Sequence, residues 1–252
     1  MFGRATIRLG IANILVINDL DCGITNWILK YADDTEIFCP VCNYNDYVVF
    51  QEDLNRPFSW NTDWQMAFNI DKCKVMHFGK TSKAYSYCLD GLPATEVTEK
   101  DLGVIISKDL KVSKQCSAAY SKANKMLGVI NRTVTYKSTD IMLRLYKSVV
   151  RPHLEYCSTA WSPHCVKDKE LIERIQHRFT RMISVIKDLP YDERLRQLNL
   201  WTLEERRIRA DLIEVFKMIN GQTNVKFELF FELDTNYRRY GHCVRWGLIS
   251  PM

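Results

Sequence analysis

No apolar run in this chain approaches the roughly 20 residues that a membrane-crossing helix needs. The stretch from Ile11 to Ile17 is short, is broken by Asn13 and has no cleavage-type flank, so no signal peptide is expected. There is no internal repeat and no low-complexity segment, which excludes a solenoid or a compositional linker. Nine cysteines, an odd number without a secretory signal, point to reduced intracellular thiols, in nucleus or cytoplasm, and leave the sequon Asn131-Arg132-Thr133 without meaning. Cys39-Pro40-Val41-Cys42 supplies half of a zinc site, but no second pair follows at finger-like spacing. His153 with Cys157, or His164 with Cys165, joins it only if the fold is assumed, so these thiols are expected to pack. A strong overall charge is also lacking, at a net +5.

What is present is a globular composition with an uneven charge. Hydrophobic residues make up 46% of the 252, enough for one large core or two small ones. Lys108 to Lys217 holds 22 Lys+Arg against 13 Asp+Glu, so the excess positive charge sits in the second half. That suits a polyanion partner, and equally a solvated helical surface. The stretch around which the rest is arranged is Ile28-Leu29-Lys30-Tyr31-Ala32-Asp33-Asp34-Thr35-Glu36-Ile37-Phe38. Two β-prone runs, Thr25 to Lys30 and Thr35 to Pro40, flank a tight turn with two adjacent carboxylates. Adjacent aspartates repel, so a hairpin tip that holds them needs a counter-charge, commonly Mg²⁺. The alternative is a solvated turn pair.

Tyr31-Ala32-Asp33-Asp34-Thr35 resembles the catalytic palm hairpin of reverse transcriptases. Further matches narrow the resemblance to the jockey-like non-LTR retrotransposons (LINE elements). They are Ile17-Asn18-Asp19-Leu20, Trp64-Gln65-Met66-Ala67-Phe68-Asn69, Lys72-Cys73-Lys74-Val75-Met76, Asp101-Leu102-Gly103-Val104, Val150-Arg151-Pro152-His153-Leu154-Glu155-Tyr156 and Glu205-Arg206-Arg207-Ile208-Arg209. They run in order from about Ile17 to about His242. Residues Met1 to Asn13 match nothing in the family well. Its fingers, and a first palm strand with another metal-binding aspartate, are expected upstream of Met1.

The expected fold is α+β: a partial palm over 1–107, with antiparallel strands, the hairpin and a helix, then an all-helical thumb over 108–220 and a tail over 221–252. A helical rhythm spans Asn45 to Phe68, with Pro57 expected to kink or restart it. Short strands are expected at Cys73 to Phe78, Tyr85 to Leu89 and Leu102 to Ser107. From Ser113 the period is helical. Ala119, Ala123, Met126, Leu127 and Ile130 form one stripe, and Met142, Leu145, Tyr146 and Val149 a second that stops before Pro152. Leu171, Ile175, Phe179, Met182, Ile183 and Ile186 form a third. A short helix is expected from Pro190. The last helix, with a Thr202–Glu205 capping box, is expected to bury Leu212, Val215, Phe216 and Ile219 and to stop at Asn220-Gly221.

The resemblance implies RNA-directed DNA polymerisation from deoxynucleoside triphosphates, with an RNA template, a DNA primer and Mg²⁺. It makes Asp33 a metal ligand and catalytic residue, Asp34 a second and less essential carboxylate, and Tyr31 a residue near the primer end. Lys72, with Lys74 as alternate, would lie near the departing pyrophosphate; Gly103 would let the backbone approach the primer. Lys167, Arg174, Arg178 and Arg181 fall on the side of their helix away from the apolar stripe and make a ridge suited to phosphates, with Arg206, Arg207 and Arg209 as a second cluster. Glu170 and Glu173 stand near enough to pair with these arginines instead. With one palm aspartate missing, the chain is expected to be inactive alone. The alternative is a catalytically dead remnant that binds nucleic acid non-specifically through the basic thumb.

Overall fold

The computed structural model describes residues 3–10, 19–31, 34–63, 68–69, 72–79, 85–89, 91–93, 95–96 and 99–231. The chain divides into two compact units, residues 1–115 and 116–252. Together they make a mixed α and β protein with small sheets, mostly antiparallel, and a larger helical content. No helix among the described residues is long and apolar enough to cross a membrane.

The first unit is built on a five-stranded sheet. Its members are β1 (Gly3–Gly10), β2 (Trp27–Tyr31), β3 (Asp34–Val41), β4 (Lys74–Phe78) and β7 (Thr95–Glu96), in the spatial order β2-β3-β1-β4-β7. The strand β1 lies antiparallel to both β3 and β4, and only β7 runs parallel to its neighbour. No strand was expected over Gly3 to Gly10, which has no family-like text and only a short alternation. Two small hairpins follow: β5 (Cys88–Leu89) with β6 (Leu92–Pro93), and β8 (Glu99–Asp101) with β9 (Val104–Ile106).

Helix α1 (Tyr44–Asp63) covers one face of the sheet. Its start is fixed reciprocally: the Asn43 side chain accepts from the Asp46 amide at 3.0 Å, and the Asp46 carboxylate accepts from the amides of Cys42 and Asn43. Pro57 does not break it. The ring removes one bond to the carbonyl four residues back, but Phe50 and Leu54 before it and Phe58 after it all pack into the same core and hold both halves in line. That core joins Ile37 and Cys39 of β3 and Val75 of β4 to Phe50 and Leu54, closed by Tyr87 and Leu89. The expected extension of the helix through Trp64 to Ala67 lies outside the described residues.

In the second unit α2 (Ser113–Thr133), which begins just ahead of the division, buries Ala119, Ala123, Leu127 and Ile130. There follow α3 (Thr139–Leu145), a π-helical turn over Tyr146–Val150, α4 (Pro152–Glu155) and α5 (Ser158–Trp161). Then come α6 (Val166–Arg181), α7 (Tyr191–Leu198), α8 (Leu203–Ile219) and a 3₁₀ turn at Phe227–Leu229. The capping box at Thr202 is formed, and Gly221 ends α8 with φ +62°. The expected burial along α8 is not what the structure has. Leu212, Phe216 and Ile219 are each at least half exposed, and the buried residues of α8 are Leu203 and Arg207 in its first turns.

Candidate functional site

The hairpin that the sequence singled out is formed. Tyr31 and Asp34 are register partners across β2 and β3, with two residues of sequence between them. Asp33 lies outside the described residues, and nothing of its placement enters here. Asp34 opens β3 and is half-buried, whereas Tyr31 is 66% exposed. Trp27, Leu29 and Tyr31 alternate onto the sheet face away from α1, while Ile28 and Ile37 point into the core.

One carboxylate of α1 sets the approach to this hairpin. Asp53 is fully buried and accepts hydrogen bonds from the amides of Thr25 and Asn26, from the Thr25 hydroxyl and from the Asn26 side-chain amide at 2.8 Å. The Arg56 guanidinium binds it at 2.7 Å. Burial alone would raise the pKa of Asp53, but the Arg56 charge and these donors outweigh it and hold the carboxyl below its ordinary value. Asp19, part of the Ile17-Asn18-Asp19-Leu20 text, accepts from the Trp60 indole at 3.1 Å. Lys30, on β2, pairs with Asp21 at 2.9 Å. Two stretches singled out separately in the sequence are thus tied through α1. The signal for Asp53 was present only as a polar residue within an apolar helical rhythm, and its role needed the fold to appear.

The other positions assigned by resemblance to the sheet unit do not gather at the hairpin by any described contact. Lys72 is exposed in a turn whose amide reaches the Asn69 carbonyl at 3.0 Å. Lys74 begins β4. Gly103 closes the β8–β9 hairpin with φ +90°, beside Leu102 at φ +40°, so the turn does require glycine there. The Cys39 and Cys42 thiols lie on opposite terms: Cys42 is exposed, while burial pushes Cys39 up to about 12, leaving an inert packed thiol.

Mg²⁺ at the hairpin would need carboxylates from two neighbouring strands. Among the described residues no three His, Cys, Asp or Glu side chains come together as a metal would require. The strand beside Asp34 is β1, whose eight residues hold two arginines and no acid. Asp33, the carboxylate named first for the ion, lies outside the described residues.

In the helical unit the basic positions separate into two kinds. Lys167, Arg174, Arg178 and Arg181 are exposed along α6, as a ridge one side chain wide, and Arg178 also donates to Asn124. Arg207 is different and corrects the expectation of a nucleic-acid contact. It is only 5% exposed, donates to the carbonyls of Leu154 and Leu203, and lies over the Trp161 ring at 5.5 Å. Arg206 is half-buried and bidentate on Glu155. The Glu-Arg-Arg text therefore ties α8 to α4, which spacing alone could not distinguish from a surface cluster. Glu173 does not pair with the ridge arginines either. It accepts from the Tyr191 hydroxyl and from the Leu203 amide at 3.0 Å, and its burial raises it above the ordinary carboxylate range despite these donors.

A cleft of about 490 Å³ lies beside the starts of α6 and α8, lined in part by His164, Glu170, Glu204 and Asp211. Burial raises the pKa of Asp211, partly offset by Arg207 and His164. No sequence signal announces this cleft, because its walls come from segments some forty residues apart. Comparison with protein-family models, with curated proteins and with solved structures finds no match to this chain.

Proposed function

We propose that this chain carries the palm hairpin and thumb of an RNA-directed DNA polymerase of the non-LTR retrotransposon type. In this reading it holds RNA template and DNA primer but does not by itself extend the primer with deoxynucleoside triphosphates. The observation that carries the reading is the Tyr31–Asp34 register, which pairs the two residues that flank Ala32-Asp33 across antiparallel strands packed on a helix. The exposed ridge of Lys167, Arg174, Arg178 and Arg181 supports the nucleic-acid half of it. A row of cations on one helix tracks a phosphate backbone without reading bases, so affinity falls with salt and ignores sequence. The same ridge supports a second reading, in which non-specific nucleic-acid binding is the whole activity of a catalytically dead remnant.

Primer extension on an RNA template with Mg²⁺, run beside a salt titration of binding, tests both. The expected result is no extension, and binding whose logarithm falls with log salt at a slope of about −3 if four phosphates of a single strand are engaged. Asp33→Ala should leave that binding unchanged, and replacing Lys167, Arg174, Arg178 and Arg181 by alanine should flatten the slope. Extension that Asp33→Ala abolishes would overturn the inactive reading. Binding that ignores both salt and the ridge would overturn the polymerase ancestry of the helical unit.

A further inference from the structure

We infer that β2 is the interface between two copies of this chain, its outer edge pairing antiparallel with the same edge of a second copy about Leu29. This stands apart from the polymerase reading and needs no nucleic acid.

Three observations carry it. First, β2 ends the five-stranded sheet, with β3 on one side and, among the described residues, no strand on the other. Second, the devices that ordinarily blunt a sheet edge are missing from it. Trp-Ile-Leu-Lys-Tyr has no proline, and its pairing with β3 runs from Trp27 to Tyr31 without a bulge. Its one charge, Lys30, is drawn to Asp21 at 2.9 Å. Third, Trp27, Leu29 and Tyr31, on the face away from α1, are each more than half exposed.

The order of residues in β2 selects the occupant. Antiparallel pairing about Leu29 sets Trp27 opposite Tyr31, Ile28 opposite Lys30 and Leu29 opposite itself. All five residues are then paired, and any other register pairs fewer. A twofold axis through Leu29 closes the assembly at two copies. Residues opposite each other share a face, so the exposed row gains two aromatic pairs and a leucine pair, the cross-strand contacts that stabilise a sheet. Lys30 meets Ile28 rather than its own copy, and Asp21 balances its charge. A polyanion suits this surface less well. The neighbouring β3 puts Asp34 and Glu36 on the same face, opposite Tyr31 and Leu29. Strands of five residues bury less than the roughly 1,200 Å² of a standard interface, so the association is weak and depends on concentration.

Sedimentation velocity of the full chain over a concentration series tests this, with hydrogen exchange of the amides of residues 27–31 read on the same samples. The wild type should pass from monomer to dimer as concentration rises, and those amides should gain protection in step. Leu29→Lys sets two ammonium groups opposite each other on the axis and should weaken the dimer at least about tenfold. Its denaturant midpoint should stay as in the wild type, since Leu29 is 58% exposed. Two double variants read the register and do not depend on that variant folding. Trp27→Lys with Tyr31→Glu puts opposite charges across both outer pairs, and Trp27→Lys with Tyr31→Lys puts like charges there. The first should dimerise at least about tenfold more tightly than the second. A wild type that stays monomeric at every concentration would overturn the inference. So would a dimer that folded Leu29→Lys leaves unchanged, or equal association of the two double variants. An oligonucleotide that protects the same amides in a chain that remains monomeric would give the face to nucleic acid instead, and overturn it too.

Discussion

Asp53 in the sheet unit and Glu173 in the helical unit each tie a loop to a helix through a carboxylate removed from water, yet their acidities move in opposite directions. The desolvation acts the same way on both; the donors differ. Asp53 meets a guanidinium, two backbone amides, a hydroxyl and a side-chain amide, whereas Glu173 meets a phenol, a backbone amide and the neutral Gln176 side chain. A charged donor stabilises the ionised form enough to overcome burial, and neutral donors do not. The two carboxylates therefore contribute to stability with opposite pH dependence.

The sharpest way to break this comparison is Asp53→Ala. It leaves the Thr25 and Asn26 amides and Arg56 without their acceptor, and should destabilise the sheet unit by about 3 kcal/mol, read as a lower denaturant midpoint. Arg207→Ala should follow, at about 2 kcal/mol of helical-unit stability, because the carbonyls of Leu154 and Leu203 and the face of Trp161 lose their partner. Its nucleic-acid salt slope should stay as in the wild type, unlike that of the ridge variants.

The pH arms come next. The lowered Asp53 contributes stability that is present above its unfolded value of 3.8 and is lost as pH falls through the still lower folded value. The raised Glu173 contributes stability that is present below its unfolded value of 4.5 and is lost as pH rises through the folded value. Glu173→Gln, at a cost of about 1 kcal/mol at pH 4, should remove the fall in helical-unit stability above pH 4.5, seen in denaturant titrations at a series of pH values. If the fall persists, Glu173 is not its source. The smallest effect is expected from Leu212→Gln with Phe216→Gln on the open side of α8, within about 0.5 kcal/mol by thermal denaturation. A larger loss would show that this stripe is covered in solution.

Much of the fold was legible because it is written in local periodicity. The stripe through Ala119, Ala123 and Leu127, the cap at Thr202 and Glu205, and the glycine turns at Gly103 and Gly221 are each fixed by a few neighbouring residues. The hairpin strands were legible for the same reason, with ends shifted by a residue or two. What failed was whatever depended on a partner distant in sequence. Leu212, Phe216 and Ile219 make an apolar stripe on α8, but a stripe says only which side prefers burial, not that something reaches it. Arg207 reads as one more surface arginine until Trp161 and the Leu154 carbonyl are found against it. Pro57 reads as a break until the core on both sides of it is seen.

The sequence by itself determined the hairpin motif, the amphipathic helices, their caps and the uneven charge, since backbone sterics, side-chain period and local hydrogen bonds act within a few residues. Only the tertiary structure decided that Gly3–Gly10 takes the central strand position, that Asp53 anchors the approach to the hairpin, and which arginines remain on the surface. Strand order and buried pairing are set by contacts between segments tens of residues apart, where solvent exclusion gives a charge its partner and its weight.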